Sequence, residues 1–167
     1  MITVNINGEE RQYPQGATYE DVANDYQKEY DNLIALAARD GKIRELFKKL
    51  TRDCEITFFT LKDDVGNKTY VRSATMLFLK AVFDVFGRET VQNCRVEFAI
   101  GNGSYISPKG KINATEENAA KIRNRMRELV EAKTPFLKKS YSLDNAMELF
   151  RREGMKDKEK LFRYRRG

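Results

Sequence analysis

Hydrophobic positions are concentrated in one stretch of the chain, residues 70–87 (YVRSATMLFLKAVFDVFG). Its apolar side chains fall all round a helical wheel, which predicts a helix that is buried on most sides. Gly87 is suited to end this helix, because glycine readily adopts the left-handed conformation found after helix C-termini. Arg72, Lys80 and Asp84 interrupt the apolar run, so the pattern favours a core helix over a membrane span.

The first 61 residues show a different pattern, in which short strand-like runs are separated by turns. These runs occur at 2–6, 11–13, 33–38 and 55–61. Asn7 and Gly8, after the alternating first run, are typical of a tight hairpin turn. Thr18, with Asp21 three residues later, predicts the capped start of a helix. A hairpin, a helix and further strands in this order predict a β-grasp sheet curled around one helix.

Residues 62–69 (KDDVGNKT) are polar around a central glycine, which predicts a linker between two domains. Two further helices are predicted after the central helix, capped by Thr115 and Ser142. We therefore predict an α+β protein. It has a β-grasp domain at 1–61 and a second α+β domain at 70–167, built on the buried central helix.

Charge is distributed unevenly along the 167 residues, although the net charge is only +6. Residues 1–61 carry 8 basic and 11 acidic side chains, whereas residues 62–167 carry 23 basic and 14 acidic ones. If the chain binds nucleic acid, the second part is therefore the better electrostatic candidate. The alternative is an ordinary solvated surface.

Metal and secretion signals are lacking in the sequence. The chain contains no histidine, and its two cysteines, Cys54 and Cys94, are too far apart for a metal-ligand motif. We predict no metal site and two buried free thiols in a reducing compartment. No apolar signal-peptide core follows Met1, so a cytoplasmic location without membrane contact is predicted.

The central helix carries a resemblance to a known family. Residues 72–78 read RSATMLF, which resembles the first helix of the editing-type domain of threonyl-tRNA synthetases, His-Ser-x-x-His-Leu-Leu. Ser73 and the apolar frame match this motif. Arg72 and Met76 stand where the motif has its two histidines.

The resemblance extends to both sides of this helix. Residues 18–23 (TYEDVA) and the preceding Asn-Gly hairpin resemble the TGS domain, a β-grasp module that precedes the editing-type domain in that family. Residues 102–106 (NGSYI) resemble its Asp-Gly-Phe-Tyr-Tyr turn. Residues 126–155 resemble a later part of the same domain and include a predicted strand at 135–141.

The same pair of domains also occurs in a bacterial uridine kinase-like family. Two features resemble that family more closely: the helix start YVRS at 70–73 and the tail GMKDKEKLFRYRR at 154–166. The closing Asp-Leu-Cys-x-Gly-Pro-His motif of the synthetase domain is missing, so we expect a domain truncated at its C-terminus. The resemblance implies a parent chain whose kinase domain is a partner of these residues and uses ATP and magnesium. This chain has no GxxxxGK[ST] loop, so no cofactor is expected within it.

The residue types at the resembling positions favour binding over catalysis. Deacylation needs a general base near neutral pKa, and an arginine guanidinium stays protonated while methionine transfers no proton. No catalytic residue is therefore predicted. The resemblance implies a cleft formed by four residues, which suits binding of an anion, a nucleotide or RNA. These residues are Arg72, Ser73, Tyr105 and Lys158. The alternative for Arg72 is a surface ion pair.

Three functions remain open from the sequence. The first is a non-catalytic accessory region of a uridine kinase-like protein, with a degenerate editing-like domain that binds RNA or a nucleotide. The second is a free-standing deacylase for mischarged tRNA, against which the missing histidines argue. The third is a structural interaction module.

Overall fold

The computed structural model describes residues 1–101, 103–108 and 113–164. The chain divides into two compact units, the first being Met1–Met76 and the second beginning at Leu77. Both helices and strands are present throughout, so the predicted α+β class is confirmed.

The first unit contains a five-stranded mixed sheet and a helix packed against it. Its elements are β1 (Ile2–Ile6), β2 (Glu9–Tyr13), α1 (Tyr19–Tyr26), β3 (Ile34–Arg39), β4 (Lys42–Arg44) and β5 (Cys54–Thr60). The strand order is β2-β1-β5-β3-β4, in which β1 and β5 are parallel and the other neighbours are antiparallel. A central parallel pair flanked by hairpins, with one helix across the sheet, is the arrangement that the β-grasp prediction requires.

The turn and cap expected in this unit are both formed. Asn7 and Gly8 have φ angles of 53° and 87°, as a two-residue hairpin turn requires. The Thr18 hydroxyl accepts a hydrogen bond from the Asp21 N–H at 3.1 Å. The Asp21 carboxylate in turn accepts one from the Thr18 N–H at 2.7 Å. This reciprocal pair is a capping box.

The hydrophobic core of the first unit lies between α1 and the sheet. Alternate residues of β1 face it, and α1 contributes one apolar stripe. Val4, Val22, Tyr26 and Ile56 are each at most 1% exposed. The first unit thus has a closed core of its own.

The long helix α2 (Asp64–Phe86) begins earlier than the sequence predicts. Residues 64–69, interpreted as part of a linker, form its first turns. The Asp63 carboxylate accepts hydrogen bonds from the N–H and the hydroxyl of Thr60, at 2.7 and 2.9 Å, and the Asp63 carbonyl accepts the first helical bond from Asn67. Polar residues around a glycine are typical of linkers, but here they form a tight connection from β5 into the helix.

Burial of α2 is also lower than the sequence predicts. Among the apolar side chains of α2, only Ala81 and Val82 are buried. Met76 is 60% exposed and Phe83 is 44% exposed. The prediction of a helix buried on most sides is therefore wrong for the described residues. For the part of α2 in the second unit, the strands among the described residues form a two-stranded ribbon, which can cover one side of a helix but not surround it.

The second unit contains that ribbon and four further helices. They are α3 (Arg88–Gln92), β6 (Cys94–Ile100), β7 (Gly103–Pro108), α4 (Glu116–Glu131), α5 (Leu143–Arg152) and α6 (Lys156–Arg163). Thr115 and Ser142 cap α4 and α5 through their side chains, as predicted. Asn102, at the predicted turn, lies outside the described residues.

The strand predicted at 135–141 is not formed, since these residues have no regular secondary structure. Leu137 is 81% exposed there. Within the described ranges, every helix is too short or too polar to cross a membrane.

Candidate functional site

Arg72 and Ser73 lie within α2 rather than at its beginning. Arg72 follows Asp64 by eight residues, so it is well beyond the first turn, where the free N–H groups of a helix are found. The sequence pattern predicted a helix over residues 70–87, which would place Arg72 in its first turn, and this placement is wrong. The free N–H groups at the start of α2 therefore do not assist anion binding by Arg72.

The exposed side of α2 carries both positions at which the family motif has histidine. Arg72 is exposed, and Met76, one helical turn later, is 60% exposed. Ser73 is half-buried, and its hydroxyl donates a hydrogen bond to the Thr69 carbonyl at 3.1 Å. The Ser73 hydroxyl oxygen is still able to accept a further bond. This segment of α2 therefore presents a guanidinium and a thioether, but no general base.

Tyr105 and Lys158 belong to the second unit. Tyr105 is 46% exposed, and its ring stacks on Phe98 with centroids 5.1 Å apart and planes inclined by 21°. Lys158 is exposed on α6, which packs against α5 through the rings of Phe150 and Phe162. Since Arg72 and Ser73 are in the first unit, a joint site of all four residues stays a prediction.

The second unit has an open cavity of about 580 Å³, which the sequence did not predict. It is bounded by the C-terminal part of α2, by the β6–β7 ribbon and by α4. Its described lining includes Phe78, Val82, Cys94, Ile106, Arg123 and Met126. From α4, the apolar side chains Ile122 and Met126 line the cavity.

The ribbon turns Tyr105 away from this cavity. Ser104 and Ile106, the neighbours of Tyr105, both line it. Because successive strand residues point to opposite faces, Tyr105 and its partner Phe98 lie on the other face of the ribbon. The register shift between Val96 and Phe98 allows this change of face, since a β-bulge re-aims the side chains that follow it.

The cysteines show no sign of nucleophilic or metal chemistry. Burial raises the pKa of both the Cys54 and Cys94 thiols, which disfavours the reactive thiolate. Across the described parts of the chain, no three metal-ligating side chains of the His, Cys, Asp or Glu type are grouped together.

One ionic network connects α2 to α4 in the second unit. The Asp84 carboxylate accepts hydrogen bonds from the Lys80 ammonium and from Arg125 Nε, the latter at 2.9 Å. Arg125 also donates to Glu128 at 2.8 Å. Hydrogen bonding to Lys80, and then to Arg125, lowers the pKa of Asp84 below its ordinary value. The charged form of Asp84 therefore stabilises the folded state.

We expect Asp84→Asn to destabilise the chain more at pH 7 than at pH 3. A carboxyl whose folded pKa is lowered contributes stability above its unfolded pKa of about 3.9, and loses it as the pH falls through the folded pKa. The effect at pH 7 should be about 1 kcal/mol or less, since the paired cations are partly exposed. Urea unfolding at pH 7, 5 and 3 measures the loss of free energy of unfolding. The control is Asp31→Asn, which changes an exposed loop residue. An equal loss at all three pH values would contradict this account of Asp84.

Comparison with known proteins shows similarity to threonine–tRNA ligases. The chain is 29% identical over 149 residues to the enzyme of Thermotoga maritima, covering 87% of this chain and 22% of the ligase. It is also 29% identical over 164 residues to that of Maricaulis maris (98% and 25%), and 28% identical over 155 residues to that of Rhizobium etli (93% and 23%). No protein-family model matches the chain. The chain thus spans about a quarter of the length of these relatives.

Proposed function

We propose that this chain is a non-hydrolytic module, related to a region of threonine–tRNA ligases, that binds tRNA. The observation that carries the proposal is the pair Arg72 and Met76, exposed on one side of α2 in a chain with no histidine. The similarity to the ligases covers up to 98% of this chain. The likeness therefore includes the helix in which the family motif has its histidines.

The chemistry of these residues supports binding without bond cleavage. A guanidinium remains protonated at physiological pH and forms charge-assisted hydrogen bonds with phosphate or carboxylate oxygens. Ser73, Tyr105 and Lys158 remain the other predicted contacts, as hydroxyl, phenol and ammonium groups. The 23 basic side chains after residue 61 would attract the RNA backbone by long-range electrostatics.

We expect no deacylation of mischarged tRNA by the chain, because no group in it supplies a base near neutral pKa at the Arg72 position. Release of the amino acid from a mischarged threonine-accepting tRNA would be followed over time, with and without the protein, and with and without added zinc. Release above the spontaneous rate would contradict the proposal and favour a trans-acting deacylase.

Binding is tested separately with a threonine-accepting tRNA. Arg72→Ala should weaken binding by about 10- to 150-fold, the scale of a hydrogen bond to a charged group. Arg72→Lys should weaken it less because the charge remains. Lys62→Ala, which removes one exposed charge outside α2, is the matched control. Equal affinity of the wild type and Arg72→Ala would remove Arg72 from the site.

A uridine kinase-like parent, with ATP and magnesium bound in a separate kinase domain, stays a prediction. The relatives named above are ligases, and nothing in their names refers to a kinase.

A further inference from the structure

The first unit separates its charges strongly, although its sequence carries more acid than base. Six of the eight basic side chains of residues 1–61 lie between positions 39 and 52, where there are only two acidic ones. The other nine acidic side chains lie outside that interval. We call residues 42–49 (KIRELFKK) the basic segment. Averaging over the whole domain conceals this local concentration of positive charge.

The backbone of the basic segment is held firmly on the beginning of α1. The N–H groups of Tyr19 and Glu20 donate to the carbonyls of Lys48 and Leu46, at 3.0 and 2.8 Å. These two N–H groups belong to the first turn of the helix, which has no acceptors of its own. The N–H of Leu50 donates to the Ala17 carbonyl at 2.8 Å. Hydrogen bonds to and from the residues at the start of α1 therefore fix the backbone of the basic segment. The backbone positions from which its exposed side chains project are fixed with it.

An aromatic ring projects from this fixed backbone. Leu46 packs against the core and Leu50 is 3% exposed, but Phe47 between them is 56% exposed. Lys48 and Lys49 follow it directly and are also exposed. The core does not need the Phe47 ring, because its neighbours already anchor the segment.

Protection of a sheet edge explains only part of this pattern. β4 is the edge strand of the sheet, and charged side chains on an edge discourage pairing with other chains. That accounts for Lys42 and Arg44, which lie on β4. It does not account for Phe47 or Lys49, which lie beyond the strand.

We propose that the basic segment binds single-stranded RNA, with Phe47 as a stacking platform for one base and Lys42 and Lys49 as phosphate contacts. The segment combines exposed lysines with an exposed aromatic ring a few residues away. Single-strand binding uses both, because the cations follow the backbone and the ring stacks on a splayed base. A base inside a duplex is already stacked, so the surface selects single strands. This surface is formed by the basic segment, and none of its residues is among those proposed for the site around Arg72.

The test measures binding of the whole chain to a fluorescein-labelled 12-nucleotide single-stranded RNA of mixed sequence, by anisotropy at several salt concentrations. Phe47→Ala should weaken binding about 5- to 150-fold, as loss of one stacked base does, and leave the salt dependence unchanged. Lys42→Gln and Lys49→Gln should each lower the slope of log affinity against log salt by about 0.7.

Matched controls come from the same unit. Leu33→Ala removes a side chain that is 58% exposed, like Phe47, and Lys28→Gln removes an exposed lysine outside the basic segment. Neither should change the affinity or the slope. Thermal unfolding of each variant checks that the fold is retained.

Three results would overturn the proposal. They are an effect of Phe47→Ala no larger than that of Leu33→Ala, equal affinity for a 12-base-pair duplex, and binding to anionic phospholipid vesicles but not to RNA. Failure of the Arg72 proposal gives a different result: Arg72→Ala then binds normally, while the Phe47 and lysine effects persist.

Discussion

Truncating Ile56 to alanine is expected to lower the free energy of unfolding of the first unit by about 2–5 kcal/mol. The Ile56 side chain is 1% exposed and belongs to the core between the sheet and α1. Removing three buried carbon atoms loses their transfer free energy and leaves a cavity that the surrounding side chains fill only in part. Urea unfolding followed by circular dichroism measures the loss.

Leu33→Ala is the control for Ile56→Ala, because Leu33 is in the same unit and 58% exposed. It should cost less than about 1 kcal/mol, the range of most surface substitutions.

Phe83→Ala tests whether exposure also sets the cost of truncation in α2. The sequence pattern predicts a loss of about 3–5 kcal/mol for a buried phenylalanine, but a ring that is 44% exposed should cost clearly less. A full loss at Phe83 would show that α2 is covered in solution.

Replacing Gly66 by alanine is expected to destabilise the chain by about 1–3 kcal/mol, the range for forcing atoms into a packed site. Helix propensity alone predicts the opposite, since alanine is favoured over glycine by about 1 kcal/mol inside a helix. A Cβ atom at Gly66 would lie 2.0 Å from the Thr60 carbonyl oxygen and 2.9 Å from its carbon. These are backbone atoms at the end of β5, so they cannot rotate away as a side chain does.

Gly103→Ala is the matched control for Gly66. A Cβ atom there meets only the Ile100 carbonyl oxygen at 3.6 Å, an ordinary contact. The stability of this variant should change little. If Gly66→Ala were as stable as the wild type or more stable, α2 would not approach the end of β5 as closely as described.

For the candidate site, the sequence shows which chemical groups are present but not how they are placed. The residue types at positions 72 and 76, together with the absence of histidine, exclude an imidazole base whatever the fold is. Their setting was not predictable in the same way. The start of α2 at Asp64 removes the helix N-terminus from Arg72, and that start depends on the contact of Asp63 with Thr60.

The sequence by itself determined the local features of this protein. The hairpin at Asn7 and Gly8 and the caps at Thr18, Thr115 and Ser142 were predicted and are formed. Each depends on backbone angles and hydrogen bonds among residues no more than about four positions apart, so a short pattern contains the information that it needs.

The tertiary structure decided the features that depend on distant residues. An apolar run such as 70–87 shows that a helix can be buried, but exposure depends on which elements surround it, and Met76 and Phe83 remain exposed. In the same way, residues 42–49 are held in place by α1, more than 20 positions earlier in the chain, which donates hydrogen bonds to the Leu46 and Lys48 carbonyls. Burial and pre-positioning arise from contacts between segments far apart in sequence, and no local pattern specifies those partners.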